Sequence, residues 1–278
     1  MPPLGPDTPR VCERFSTATQ STIPFVSRDN MTFHIERAKL ERAAEFAPPS
    51  SVHSSPTEPV RLDDDSVTLE LLFRFVYCEV YINLDAESFL VVAELAEAAE
   101  KYMVYSAMTV CRLYMKNKSK EQPTIVMKYA ARYNYKDILD VVAPYTVGRA
   151  VPVMKQILPE SYLLPWFTFN SEYQEVARLA VTRRIEQDSC HFDEAGDWYP
   201  CMQVEVEDGD PPWVLDYQRK IALALSVTGG RGLLDLDRIF TRELAGDLKC
   251  GGCAGAFHAW KYAVATDVSR IAPFTTFL

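Results

Sequence analysis

Between Val60 and Tyr102 apolar residues recur first at strand spacing and then at helical spacing, and this run constrains the fold more than any other part of the chain. Pro59-Val60-Arg61-Leu62 reads as a short strand, and Asp63-Asp64-Asp65 then sets negative charge at the positive end of a helix. Leu69, Leu72, Phe73 and Val76 follow at helical spacing. After a turn near Asn83, Asp85 is placed to cap a second helix in which Phe89, Val92, Leu95, Ala96, Ala99, Tyr102 and Met103 share one stripe. Glu94, Glu97 and Lys101 fall on the opposite face. The four-residue spacing of Glu97 and Lys101 is worth only about 0.2–0.5 kcal/mol, so it solubilises the helix rather than building a site.

Upstream, residues 1–20 are rich in Pro, Ser and Thr and read as a mobile arm, with order expected from about Thr22. Ile23 to Val26 and Met31 to Ile35 read as two strands joined by Ser27-Arg28-Asp29-Asn30, because Asp-Asn tolerates the positive φ of a tight hairpin turn. A helix from about Glu36 to Phe46 should end at Pro48-Pro49, and the Pro/Ser composition of residues 48–59 suits an exposed loop. Downstream, Val104 to Met115 reads as a helix, Pro123 opens another, and helical pieces continue in pairs with Pro144, Pro152, Pro159 and Pro165 at the joints. Residues 170–185 read as one more helix, 187–210 as an acidic, aromatic and irregular stretch. Gly229-Gly230 reads as a helix stop, and Phe257, Trp260, Val264, Val268 and Ile271 as a closing stripe. No fixed-period repeat supports a solenoid.

A chain of 278 residues with 48% hydrophobic and 24% charged residues can bury a core. Its net charge of −9 works against a broad phosphate-binding surface, so nucleic acid is not expected as a partner. Met1 to Arg10 carries prolines and no apolar core of a secretory signal, and no apolar run is long enough to cross a bilayer. The expectation is an intracellular chain, cytoplasmic or nuclear, with no membrane partner. In that compartment seven cysteines, an odd number, favour free thiols or metal ligands over disulfides.

The run Val60-Arg61-Leu62 through Leu71-Leu72-Phe73-Arg74-Phe75-Val76-Tyr77, with Leu95-Ala96-Glu97-Ala98-Ala99-Glu100-Lys101-Tyr102 and Phe33-His34-Ile35, resembles the BTB/POZ family over about residues 22–115. The likeness is greatest to the BTB-containing proteins of mushroom-forming fungi, whose resemblance extends more loosely to the ending Phe274-Thr275-Thr276-Phe277-Leu278. The resemblance implies a small sheet capped by helices and a role in docking other proteins, through self-association or as an adaptor for a cullin. Three features depart from it. Thr22 and Glu36-Arg37 stand where the family often carries an Asp and a His-Lys pair, and the hydrophobic motif of cullin-binding members has no counterpart here. The arm also lacks the added N-terminal strand and helix of dimeric members, so monomer and dimer both stay open.

The sharpest chemical candidate is a set of possible structural zinc ligands in the second half: Cys190, His191, Cys201, Cys250, Cys253 and His258. Cys250-Gly251-Gly252-Cys253 can set two thiolates on one tetrahedral ion, while the irregular first group leaves unligated thiols as the alternative. Cys12, Cys78 and Cys111 read as dispersed core or surface thiols, and His34 and His53 as strand and loop side chains. Gly229-Gly230-Arg231-Gly232 lacks the Lys-Ser/Thr of a phosphate-binding loop, and no Gly-x-Ser-x-Gly elbow occurs. Tyr162, Trp166, Phe167, Phe169 and Tyr173 suit core packing or a groove.

The reading is an α+β chain: an arm (1–20), a BTB/POZ-like domain (21–118) and a mainly helical region (119–278). Its expected function is protein–protein interaction without catalysis and without a cofactor beyond the zinc in question. The alternatives are a metal-containing hydrolase or redox enzyme with its site in the second half, or a transcription-associated BTB factor.

Overall fold

A computed structural model describes residues 10–45, 59–79, 81–184, 212–241, 244, 246, 248 and 251–278. The fold is α+β and divides into two units, residues 1–117 and 118–278.

In the first unit the alternating apolar residues of β2 (Thr22–Val26) and β3 (Met31–Glu36) pair antiparallel, with Phe25 opposite Phe33 and Thr22 opposite Glu36. Asn30 takes φ 61° in the turn, as the Asp-Asn reading requires. The short β4 (Val60–Arg61) runs parallel to β2, and β1 (Arg10–Val11) runs parallel to β3, giving the order β1-β3-β2-β4. β1 corrects the expectation of a mobile arm through residue 20. Phe15, in a 3-10 turn just after it, is buried against Phe33, Phe73 and Tyr77, and burying one such ring stabilises by about 2 kcal/mol. That contact ties residues 10–15 to the core, and no local pattern announced it.

Helix α1 (Arg37–Ala43) leads from β3, and helices α2 (Ser66–Val76), α3 (Phe89–Lys101) and α4 (Tyr105–Asn117) follow β4. α2 is buried almost all round rather than along one stripe, because it lies between the sheet and its neighbouring helices. Phe73 meets Phe15, Phe25 and Phe33 at ring-centroid distances of 5.9, 5.5 and 5.3 Å. On α3, Val92, Leu95, Ala96 and Ala99 are buried as the stripe predicted, but Met103 leaves it. It lies past the helix end with φ 53°, while Val104 N–H returns to Ala99 O, closing the helix with a Schellman bond. Asp85 does not cap α3. It sits in a 3-10 turn (Leu84–Ala86), and Ser88 Oγ accepts from Val91 N–H instead.

The second unit is helical: α5 (Pro123–Arg132), α6 (Lys136–Val142), α7 (Val151–Ile157), α8 (Glu160–Thr182), α9 (Pro212–Thr228), α10 (Leu236–Ile239) and α11 (Gly251–Ser269) among the described residues. Pro123, Pro144 and Pro152 stand at helix starts and Pro159 caps α8, whereas Pro165 lies inside α8 and marks no joint. The buried residues Trp166, Phe169, Tyr173, Val176 and Ala180 hold that helix continuous, and their burial outweighs the roughly 3 kcal/mol an interior proline costs. α9 stops at Gly229, φ 63°. A Cβ on the next residue, Gly230, would lie 2.8 Å from Val147 Cγ1, so the second glycine serves close packing as well. The C-terminal 3-10 turn (Phe274–Phe277) is docked in this unit: Phe274 is buried against Phe169, and Thr275 donates through N–H and Oγ1 to Asp140 at 2.8 Å each.

Candidate functional site

In the first unit a polar seam fixes the ends of α2 and α3 to the hairpin turn. Asp65, at the cap position of α2, makes no side-chain cap; its carboxylate takes both prongs of Arg28, at 3.0 and 2.5 Å. The cap comes from Asp29 of the turn, which accepts from Ser66 N–H at 2.8 Å and Ser66 Oγ at 2.6 Å. Burial works against the Asp29 charge, but the donors of Ser27 and Ser66 outweigh it and hold its carboxyl below the usual range. So the triple-aspartate run sets its charge at the start of α2 as the sequence suggests, but the side-chain cap comes from Asp29, because Arg28, 37 positions away, takes the Asp65 carboxylate.

The third member, Asp64, anchors the far end of α3. Tyr102 Oη donates to Asp64 Oδ2 at 2.6 Å, Lys101 Nζ lies 3.1 Å from the same oxygen, and the ammonium sits 4.8 Å from the Tyr102 ring centroid. Burial and the neighbouring carboxylate push the Tyr102 hydroxyl up to about 12. For Lys101 burial opposes the charge, yet its bonds to Tyr102 and Asp64 prevail and keep it protonated.

With the C-terminal end of α3 anchored in this way, the antiparallel pair α3–α4 presents an apolar face. Phe89 and Tyr114 stack across it with centroids 6.4 Å apart. Beside them Leu90 is 62% and Leu113 60% exposed, and Val110, one turn before Leu113 and Tyr114, is exposed too. Aliphatic side chains left in water beside a rigid ring pair are the usual makings of a contact surface. On the buried side of α4 the Cys111 thiol is pushed up to about 12 by burial, which keeps it inert, and burial likewise raises Cys12.

Of the proposed zinc ligands, Cys190, His191, Cys201 and Cys250 lie outside the described residues, as does His53. Cys253 is buried on α11, one turn before Phe257, in the stripe that continues to Trp260 and Val264. His258 is exposed; five residues on, it stands about 140° around the helix from Cys253. Among the described residues no three His, Cys, Asp or Glu side chains gather as a metal site would need. His34 is half-buried on β3, opposite Pro24. The aromatics of α8 divide: Trp166, Phe169 and Tyr173 are core, and Tyr162 donates to Asn134 Oδ1 at 3.1 Å.

Sequence reasoning found the helices that carry the face but not the face itself. An exposed Leu90 or Leu113 differs from a buried one only by which side of the helix its neighbours cover. No family model, curated protein or solved structure matches the chain.

Proposed function

We propose that the chain is a non-catalytic, intracellular protein-interaction protein whose first unit is a BTB/POZ-type domain acting as an adaptor or scaffold. The observation that carries the reading is the exposed apolar face of α3–α4, with Leu90, Val110 and Leu113 around the Phe89–Tyr114 stack. It is supported by the residues behind the family resemblance, since Leu71 to Val76 and Leu95 to Tyr102 supply the core beneath that face. The order hairpin, helix, short parallel strand and helices agrees with it as well. Docking on such a face draws its free energy from apolar burial at a few central side chains.

The test compares the full chain with a Leu90→Asp/Leu113→Asp variant. Both residues are exposed, so melting should stay within about 1 kcal/mol of wild type. Light scattering reads self-association, and a partner retained at stoichiometric amounts, a cullin or another protein, is purified and titrated against both chains. A complex weakened at least tenfold by the variant supports the reading. Self-association and partner affinity that are identical in the two chains would refute it.

A further inference from the structure

The second unit holds a cleft of about 690 Å³ between α9, the 3-10 turn after it (Gly229–Leu234) and α10. Its lining is cationic. Lys120, Lys220, Arg231 and Arg238 reach it from separate parts of the chain, against the single carboxylate of Asp235. Lys220 is already paired with Asp216 at 2.7 Å; among the described residues no carboxylate lies within ion-pair distance of Lys120, Arg231 or Arg238. This gathering of positive charge stands out in a chain of net charge −9. The walls between the cations are apolar, and Leu223 and Val227, one helical turn apart on α9, are 67% and 81% exposed at this cleft.

We infer that this cleft binds an acidic amphipathic peptide segment of a partner protein, with carboxylates on the arginines and lysines and an aliphatic or aromatic side chain against Leu223 and Val227. Two physical points select that ligand. Arg guanidinium groups recognise carboxylates with paired donors, and cations unmatched by a neighbouring carboxylate give up no existing ion pair when they do so. Two aliphatic side chains this exposed extend the apolar wall beyond what a small anion would cover, whereas a peptide spans it. The negative charge of the rest of the chain does not prevent approach, because at physiological salt charges further away than about 8 Å are largely screened. The inference concerns the second unit and is independent of the reading of α3–α4.

The test uses the full chain and a fluorescein-labelled peptide of about twelve residues in which Glu alternates with Leu and Phe, followed by anisotropy. Saturable binding is expected, weakened several-fold between low and physiological salt and at least tenfold in an Arg231→Glu/Arg238→Glu variant. Leu223→Ser should weaken it separately. All three positions are exposed, so an unchanged melting temperature shows the variants to be folded; if the arginine pair proves unstable, Lys120→Glu serves in its place. The inference is overturned if the charge-reversed variant binds equally well, if a Lys/Leu/Phe peptide binds as tightly, or if only a small aromatic sulfonate binds and the acidic peptide does not.

Discussion

Removing the Tyr102 hydroxyl should loosen the first unit by an amount that depends on Asp64. The ring is only 7% exposed, and its hydroxyl donates to a carboxylate at 2.6 Å. A charge-assisted bond of this kind contributes about 1.5 kcal/mol net, so Tyr102→Phe should destabilise by about that amount. Asp64→Asn keeps an acceptor but removes the charge, weakening both this bond and the Lys101 pair, for about 1 kcal/mol. The double variant should cost less than the sum, with a coupling near 1 kcal/mol. All four tryptophans, at positions 166, 198, 213 and 260, lie beyond residue 117, so none of them reports from within the first unit. The assay is therefore amide exchange read by mass spectrometry on peptides spanning 60–104. Protection there should fall roughly tenfold in Tyr102→Phe, since about 1.4 kcal/mol is a factor of ten. The pH dependence has a fixed sign. Folding raises the hydroxyl to about 12 from an unfolded value near 10, so its contribution is complete below about pH 10 and is lost as pH climbs towards 12. Two full units would be about 2.7 kcal/mol, and solvent screening at this partly exposed pair reduces that to about 1 kcal/mol. A coupling below about 0.3 kcal/mol, within the scatter of independent sites, or a Tyr102 ring signal that titrates near 10 by NMR, would refute this account of the seam.

Met103→Gly should stabilise the first unit by about 1 kcal/mol, because φ 53° strains any side chain while glycine adopts it freely; a protection of the 90–104 peptides that does not rise would count against it. Gly230→Ala should destabilise the second unit by about 2 kcal/mol, since the new methyl would meet Val147 Cγ1 at 2.8 Å and Tyr173 Cβ at 3.2 Å; tryptophan-monitored urea unfolding reads it. Trp166→Phe should cost about 2–3 kcal/mol in the same assay, through lost packing and through the buried bond from Trp166 Nε1 to Thr146 Oγ1 at 3.0 Å.

What the sequence by itself determined is local. The turn at Asn30, the apolar stripe through Val92, Leu95, Ala96 and Ala99, the helix start at Pro123 and the stop at Gly229 each follow from a residue's own backbone preference or from a periodicity a few residues long. The tertiary structure decided everything that depended on which distant group arrived first. Asp29 supplied the side-chain cap at the start of α2, Phe15 tied residues 10–15 to the core with Arg10 and Val11 in the sheet, and the buried residues of α8 carried a helix through Pro165. The cationic cleft likewise joins Lys120 to Arg231 and Arg238 across more than a hundred positions. Such contacts leave no local trace, because a side chain's burial and partner are set by the packing of elements far apart in the chain, and the energy of packing exceeds that of any single local preference.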